Sequence, residues 1–305
     1  MRRVAFAALL LAALPAAAGA APAATLSVVN PASAYPEGPS VIDGVLHYAE
    51  MGNDRVMRFD GVANSPLWSR DGCGPTSVVP AGDGLVVLCH LEDALARITR
   101  DGRLVEMIDR DRAGRSFADP NAAAGDGEGG IYFSSSGVFG PAAPATGAIL
   151  HLAADGTLSR VAEGLHYANG VALSPDRRVL YASEHLARRV LAFDVAPDGT
   201  LANRRVFVAL DDLAGGDPPP TWEVGPDGLA VDRAGTVIVA EYGAGRLLVI
   251  DESGALRATV RVPLDYVTSS ALSADESILY ITAPASLGDP GAAGAVYAMP
   301  YPVTP

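Results

Sequence analysis

The chain has 305 residues, 49% of them apolar, and a formal net charge of −13. This length and composition suffice for one domain with a sizeable core. The acidic balance argues against nucleic acid or an anionic membrane as a partner, because both require a basic face. All 22 basic residues are arginine, which excludes Schiff-base lysine chemistry and a phosphate-binding loop lysine.

The first twenty residues have the pattern of a secretory signal peptide. Two arginines follow the initiator methionine, an apolar run covers 4–14, and Ala18-Gly19-Ala20 supplies the small residues of a cleavage site. We expect cleavage after Ala20, a periplasmic or secreted protein, and no membrane attachment of the mature chain. An uncleaved anchor is the alternative.

Six copies of one short pattern follow along the chain: a polar residue, a half-buried strand, a tight turn and a second apolar strand. We call the six polar residues the leaders; they are Glu37, Thr76, Asn121, Asn169, Asp227 and Thr268. Successive leaders are 39 to 58 residues apart, which suits four-stranded propeller blades with loops of variable length. Turns such as Asp101-Gly102 separate the later strands.

The predicted fold is all-β: a six-bladed β-propeller with four-stranded antiparallel blades, filling residues 21–305 as a single domain after the signal peptide at 1–20. The last unit lacks a clear fourth strand, and the apolar segment 25–29 is expected to supply it and so close the last blade. The Pro/Gly-rich insertions 137–146 and 211–224 are expected to rise over one end of the channel. An irregular β-sandwich is the alternative fold.

The two cysteines, Cys73 and Cys89, flank the hairpin whose turn lies near residues 81–84. Cys73 lies just before the first strand and Cys89 ends the second, so the two come close across the pair. In an exported protein they can form a disulfide. Two buried thiols are the alternative.

A unit repeated around an axis puts equivalent residues at equivalent radius and height, so the leaders are predicted to ring a central channel. Glu37 and Asp227 then offer carboxylate oxygens, and Asn169 a neutral carbonyl oxygen, at one point. This set suits one divalent cation: calcium first, with magnesium, manganese or zinc as alternatives. Taken singly, Asn169-Gly170 and Pro226-Asp227-Gly228 are ordinary turn sequences; their shared position in the repeat is what indicates a metal site.

Three stretches of the chain resemble the senescence-marker-protein/gluconolactonase/regucalcin family of six-bladed propellers. They are Tyr35-Pro36-Glu37-Gly38-Pro39, 168–176 and 225–232, and the likeness covers essentially the whole mature chain. The resemblance implies that a Glu, an Asn and an Asp, here Glu37, Asn169 and Asp227, hold a divalent cation in the channel. It also implies hydrolysis of sugar lactones and related esters, with Asp227 as the general base.

The third leader departs from the pattern of that family. Members commonly carry an Asp directly after this Asn, where the chain has Ala122, and some carry an Arg two residues before it, where the chain has Asp119. Polar recognition of the substrate is therefore expected to be altered, although Asn121 should still face the channel.

A small-molecule substrate is expected to contact two leaders and three residues at the ends of second strands. The leaders are Thr76 and Asn121, and the strand-end residues are His90, His185 and Glu241. Histidine titrates near neutrality and can carry protons. Capping of loops is the alternative role for the strand-end residues.

The leading interpretation is an exported, monomeric, metal-dependent hydrolase of the lactonase type, with the cation as Lewis acid and Asp227 as general base. One alternative is a non-catalytic propeller that binds a partner and holds a structural cation. A strictosidine-synthase-like propeller enzyme is another. The absence of a Gly-x-Ser-x-Gly motif argues against an α/β-hydrolase serine.

Overall fold

The computed structural model describes residues 25–213, 221–287, 289, 291 and 293–302. These residues form six four-stranded antiparallel sheets, with a single four-residue α-helix, α1 (Leu210–Leu213), in the described part. This confirms the predicted all-β six-bladed propeller. The expected signal peptide at 1–20 lies outside the described residues. No helix among the described residues is long and apolar enough to span a bilayer.

The strands follow one another in chain order, four to a blade. A single strand, β1 (Ser27–Ala34), precedes blade 1. Blades 1 and 2 comprise β2 (Pro36–Ile42), β3 (Val45–Glu50), β4 (Arg55–Phe59), β5 (Asn64–Ser69), β6 (Pro75–Ala81), β7 (Gly84–Cys89), β8 (Ala94–Ile98) and β9 (Leu104–Ile108). Blades 3 and 4 comprise β10 (Pro120–Gly125), β11 (Ile131–Ser135), β12 (Gly147–Leu152), β13 (Leu158–Leu165), β14 (Ala168–Leu173), β15 (Val179–Glu184), β16 (Arg189–Val195) and β17 (Leu201–Ala209). Blades 5 and 6 comprise β18 (Gly225–Val231), β19 (Val237–Tyr242), β20 (Arg246–Ile250), β21 (Leu256–Arg261), β22 (Ser269–Leu272), β23 (Ile278–Pro284) and β24 (Ala293–Pro300).

The N-terminal strand closes blade 6. β1 pairs antiparallel with β24, so the strand order in this sheet is β1-β24-β23-β22. The predicted closure is confirmed, although the strand runs from Ser27 to Ala34 and so extends beyond 25–29. The pairing ties the two ends of the propeller together and covers an edge of β24 that would otherwise be unpaired.

The hydrophobic core lies between neighbouring blades. Second strands are buried almost throughout; all six residues of β19 are buried, as their near-continuous apolar sequences predict. Because blades pack face to face around the axis, each apolar cluster joins two of them. In one such cluster Ile238 and Leu247 of blade 5 lie with Leu279 and Tyr297 of blade 6.

Three blades repeat a buried ion pair where the second strand ends. In each, a glutamate contacts the arginine five residues later, which begins the third strand. The pairs are Glu50–Arg55 at 2.6 Å, Glu184–Arg189 at 2.6 Å and Glu241–Arg246 at 2.5 Å. The bond holds the second and third strands together at the leader end of the blade, because the intervening turn lies at that end.

Cys73 and Cys89 form a disulfide with their Cα atoms 4.4 Å apart. Both residues are fully buried. The bond joins the segment that enters blade 2 to the end of β7, so it fixes the approach to the innermost strand of that blade.

Removing this disulfide should destabilise the propeller. It spans a sequence separation of 16 residues, for which loop-closure entropy gives a cost of about 3 kcal/mol. We expect a reductant to lower the urea midpoint of the wild-type protein, and the Cys73→Ala/Cys89→Ala double variant to have a lowered midpoint that reductant does not change. Equal midpoints for all four measurements would show that the bond contributes no stability.

Candidate functional site

The leaders lie where the innermost strands depart from regular pairing. In blades 1 to 5 the register between the first and second strands shifts at or next to the leader, for example between Glu37 and Ser40 and between Pro226 and Leu229. A β-bulge of this kind changes the direction of a side chain relative to the sheet. Blade 6 differs, because Thr268 precedes β22 and its hydroxyl donates to the Pro36 carbonyl oxygen at 2.9 Å.

The backbone also turns sharply two residues before four of the leaders. Tyr35, Gly74, Asp119 and Tyr167 all have a φ between 48° and 60°. For the three that are not glycine this left-handed conformation is uncommon and is favoured only where the surroundings enforce it. The repeated turn brings each chain segment into its innermost strand from the same direction.

Glycines after the leaders let neighbouring innermost strands approach closely. A Cβ atom at Gly170 would lie 2.3 Å from the Asp227 carbonyl oxygen, and one at Gly38 would lie 2.1 Å from the Thr76 carbonyl oxygen. Both distances are far below van der Waals contact, so only glycine fits. The first contact packs the Asn169 strand directly against the Asp227 strand.

A cavity of about 290 Å³ opens at the leader end of the channel. We call it the leader cavity. It is lined by Tyr35, Glu37, Met51, Thr76, His90, Leu91, Asn121, Phe139, Tyr167, Asn169, His185, Asp227, Tyr242 and Leu287. Five of the six leaders are in this set. Thr268 is not; its hydroxyl is bonded to the Pro36 carbonyl oxygen of blade 1 and to the Thr282 hydroxyl of its own blade.

A larger and more open groove lies elsewhere. It has a volume of about 860 Å³, runs along turns of blades 3 and 4, and includes Asp126, His151 and Arg177 but no leader. Its Asp126 carboxylate and His151 Nε2 are 2.9 Å apart and satisfy each other. The leader cavity is the better candidate site because two buried carboxylates and the unpartnered Asn169 amide oxygen converge there.

Glu37, Asn169 and Asp227 meet in the leader cavity. They are only 7%, 4% and 5% exposed. Burial raises the pKa of Glu37 well above its usual value, and the Asp227 carboxylate raises it further. Burial also raises the pKa of Asp227, while its contacts with the Gly228 backbone and the Asn169 amide act in the opposite direction.

This trio fits a divalent cation. No arginine is among the residues that line the cavity, so no side chain there offsets the two neighbouring carboxylates. The Asn169 Oδ1 atom is buried and has no hydrogen-bond partner, which is unusual for a buried carbonyl oxygen. The described residues contain no cluster of three or more His, Cys, Asp or Glu side chains suited to a metal, so a cation here would require the amide oxygen as well.

Two neutral histidines border the trio. Burial lowers the pKa of His185 to about 4, and its Nε2–H donates to the Glu223 carbonyl oxygen at 2.8 Å. His90 also has a pKa lowered by burial, and its Nε2 lies 3.8 Å from an Asp119 carboxylate oxygen. The Nδ1 atoms of both rings are buried and have no hydrogen-bond partner among the described residues.

Of the other three residues predicted to contact the substrate, two line the cavity and one does not. Thr76 and Asn121 line the cavity, although the Thr76 hydroxyl also donates to the Pro120 carbonyl oxygen at 3.1 Å. Glu241 does not line it. Its buried carboxylate is held by Arg246 and, at 3.2 Å, by Arg188, so the structure gives Glu241 a structural role instead of the expected place in the substrate wall.

The sequence reasoning did not include the aromatic residues of the site. Tyr35 and Tyr167 each lie two residues before a leader, and that shared position was a visible signal. The hydroxyls of Tyr35 and Tyr242 are 2.8 Å apart. Phe139, from the insertion 137–146, also lines the cavity, so this insertion does lie at the leader end; residues 214–220 of the other insertion are outside the described part.

Comparison with known proteins gives consistent matches. The family model described as SMP-30/Gluconolactonase/LRE-like region matches residues 35–285. The chain is 30% identical over 256 residues to pentonolactonase XacC of Haloferax volcanii, covering 82% of this chain and 80% of that protein. It is 32% identical over 158 residues to the L-arabinolactonase of Azospirillum brasilense, covering 52% and 49%. The structure of a gluconolactonase from Xanthomonas campestris superposes with a TM-score of 0.74 and 26% identity, covering 92% of this chain and 90% of that one.

Substituting Gly170 should disturb the packing between the Asn169 and Asp227 strands. The new methyl group of Gly170→Ala would meet backbone atoms that cannot move independently, so we expect a loss of about 1–3 kcal/mol in unfolding free energy. Gly125→Ala is the matched control: Gly125 ends β10, and its nearest atom to an added Cβ is 3.9 Å away. Urea unfolding measures both. Equal stability of the two variants would contradict the close approach of the strands.

Proposed function

Because the chain belongs to the SMP-30/gluconolactonase/LRE-like family, we propose that it is a divalent-cation-dependent lactonase whose reaction takes place in the leader cavity. The observation that carries the proposal is the convergence of two buried carboxylates and one unpartnered amide oxygen in a single cavity. The lactonase activities named for the similar proteins support the reaction class.

Glu37, Asn169 Oδ1 and Asp227 are the groups that would hold the cation. When bound, the cation supplies Lewis acidity toward the lactone carbonyl and a positive charge that keeps both carboxylates ionised. A donor set made only of oxygen suits calcium best, with magnesium, manganese or zinc as the alternatives.

In this proposal Asp227 is the general base. Its carboxylate accepts a proton from the water that attacks the lactone carbonyl carbon. The ring carbon–oxygen bond then breaks and the departing ring oxygen takes up a proton, so one lactone and one water give one hydroxy acid. Thr76 and Asn121 orient the substrate from the same ring of leaders. The neutral histidines His90 and His185 offer Nδ1 acceptors to a water or a substrate hydroxyl.

Substituting Asp227 with asparagine tests the catalytic role. Asp227→Asn keeps the shape of the side chain but removes its basicity, and we expect kcat/KM for lactone hydrolysis to fall by about 10² to 10⁴. Glu106→Gln is the control, since Glu106 is an exposed carboxylate on β9 outside the cavity. Lactone opening is followed by pH-stat and folding by circular dichroism. Wild-type turnover in folded Asp227→Asn would remove Asp227 from the mechanism.

Removing divalent cations tests the dependence on metal. We expect a chelator to abolish lactone opening and added calcium to restore it, because the described residues that line the cavity include no arginine to stabilise developing negative charge. Full activity in chelator would contradict the metal requirement. Tight cation uptake without turnover of any lactone or ester would instead favour a non-catalytic binding propeller. This is the main alternative function, because the chain has Ala122 where members of the family commonly carry an Asp.

We also propose that the protein functions outside the cytoplasm. The Cys73–Cys89 disulfide supports this location, because such bonds persist mainly in oxidising compartments, and the N-terminal pattern agrees with it. Expression of the full chain in a Gram-negative host should give a periplasmic protein whose N-terminal sequence begins at Ala21. A full-length cytoplasmic chain with two free thiols would contradict the assignment.

A further inference from the structure

The leader cavity changes in character from its floor to its mouth. The oxygen-bearing residues Glu37, Asn169 and Asp227 are buried at the floor, whereas Phe139, which lines the same cavity, is 39% exposed. Met51, Leu91, Tyr242 and Leu287 complete the less polar part of the lining. The exposed residues of the lining, Leu91 at 57% and Phe139, are both apolar, so a ligand that enters the cavity passes apolar side chains first.

Phe139 is the centre of an aromatic cluster at this mouth. Its ring centroid lies 4.7 Å from that of Tyr167, 4.9 Å from Trp222 and 5.6 Å from His185. Trp222 is also 39% exposed. Phe139 follows β11 in blade 3 and Trp222 precedes β18 in blade 5, so two separate connections bring exposed rings to one place. Large exposed aromatic residues that cluster in this way mark binding surfaces.

The charged residues of the lining are limited to Glu37 and Asp227, and several of the other polar groups there already have partners. The hydroxyls of Tyr35 and Tyr242 contact each other, and the Thr76 hydroxyl donates to a backbone carbonyl. The lining residues include no arginine, and Asn121 is followed by Ala122, whose side chain has no polar group. Hydroxyls of a buried polyhydroxylated ring that Asn121 and the two histidines do not reach would be left without hydrogen bonds, which is costly.

We propose that the substrate is a lactone that carries an apolar, aromatic substituent. The substituent packs against Phe139 and Trp222 while the lactone carbonyl reaches the floor of the cavity. This rests on the proposed lactonase function and adds the substrate class. Aromatic pairs with ring centroids about 4.5–7 Å apart are favourable beyond their apolar burial, and the rings of this cluster already have that spacing among themselves.

The test compares three five-membered lactones whose reacting groups match: γ-butyrolactone, γ-phenyl-γ-butyrolactone and a pentonolactone. With calcium supplied, we expect kcat/KM for the phenyl lactone to exceed that of each of the others by about tenfold or more, the size of effect typical for one well-packed apolar group. Phe139→Ala and Trp222→Ala should each reduce the phenyl-to-unsubstituted ratio by about fivefold to tenfold, and Phe139→Leu should reduce it less.

Leu104→Ala is the matched control. Leu104 lies on β9 and is 39% exposed, the same fraction as Phe139 and Trp222, but it neither lines the cavity nor belongs to the aromatic cluster. It should change neither the ratio nor the activity. Thermal unfolding confirms that each variant is folded.

The outcomes separate the two proposals. If the pentonolactone is the best substrate and Phe139→Ala changes the ratio by less than twofold, the inference about the substituent is overturned and the lactonase function stands. If no lactone is opened, the lactonase function fails, and tryptophan fluorescence titration with the phenyl lactone decides the inference. A saturable signal that Phe139→Ala weakens would support aromatic binding, whereas no signal would overturn it.

Discussion

Two buried carboxylates that face each other without a cationic side chain are the constraint on which the site depends. Burial disfavours the ionised form of both Glu37 and Asp227, and the Asp227 carboxylate disfavours ionisation of Glu37 further. Elsewhere in the same propeller the fully buried Glu50 and Glu184 are each neutralised by arginine. Two buried carboxylates without a cationic partner lower the stability of the fold. A bound cation would remove this destabilisation, and its positive charge would also serve catalysis.

The propeller brings the pair together through devices repeated from blade to blade. A left-handed turn two residues before the leader directs the chain toward the axis, as at Tyr35 and Tyr167, and the register shift after it frees the leader from the regular sheet pattern. Gly170 then lets the neighbouring innermost strand approach. The Glu–Arg pairs hold the second and third strands together at the same end of the blades. Position of the ligands is thus a property of the whole ring and not of one loop.

Much of this architecture could be predicted from the sequence, because equivalent residues of a repeated unit lie at equivalent places around the propeller axis. The six leaders, the closing strand and the meeting of Glu37, Asn169 and Asp227 all follow from the shared register. Residues that do not lie at a repeated position could not be placed from the sequence. Phe139 and Trp222 come from unrelated connections, and no periodicity relates them. Glu241 does lie at a repeated position. That position predicts at which end of the blade the side chain lies, but not which partner it contacts. Its partner was visible as the arginine five residues later, the same spacing that Glu50 and Glu184 show, and two arginines now hold its carboxylate.

The central claim is that three oxygen donors from blades 1, 4 and 5, far apart in the sequence, share one ion. A crystal of the wild-type protein soaked in manganese and measured at an anomalous wavelength tests it directly, with calcium competing for the same position. The account predicts one strong anomalous peak in the leader cavity, within coordination distance of oxygens from Glu37, Asn169 and Asp227, which calcium displaces. An empty cavity under saturating manganese, or a peak that touches none of the three, would contradict it.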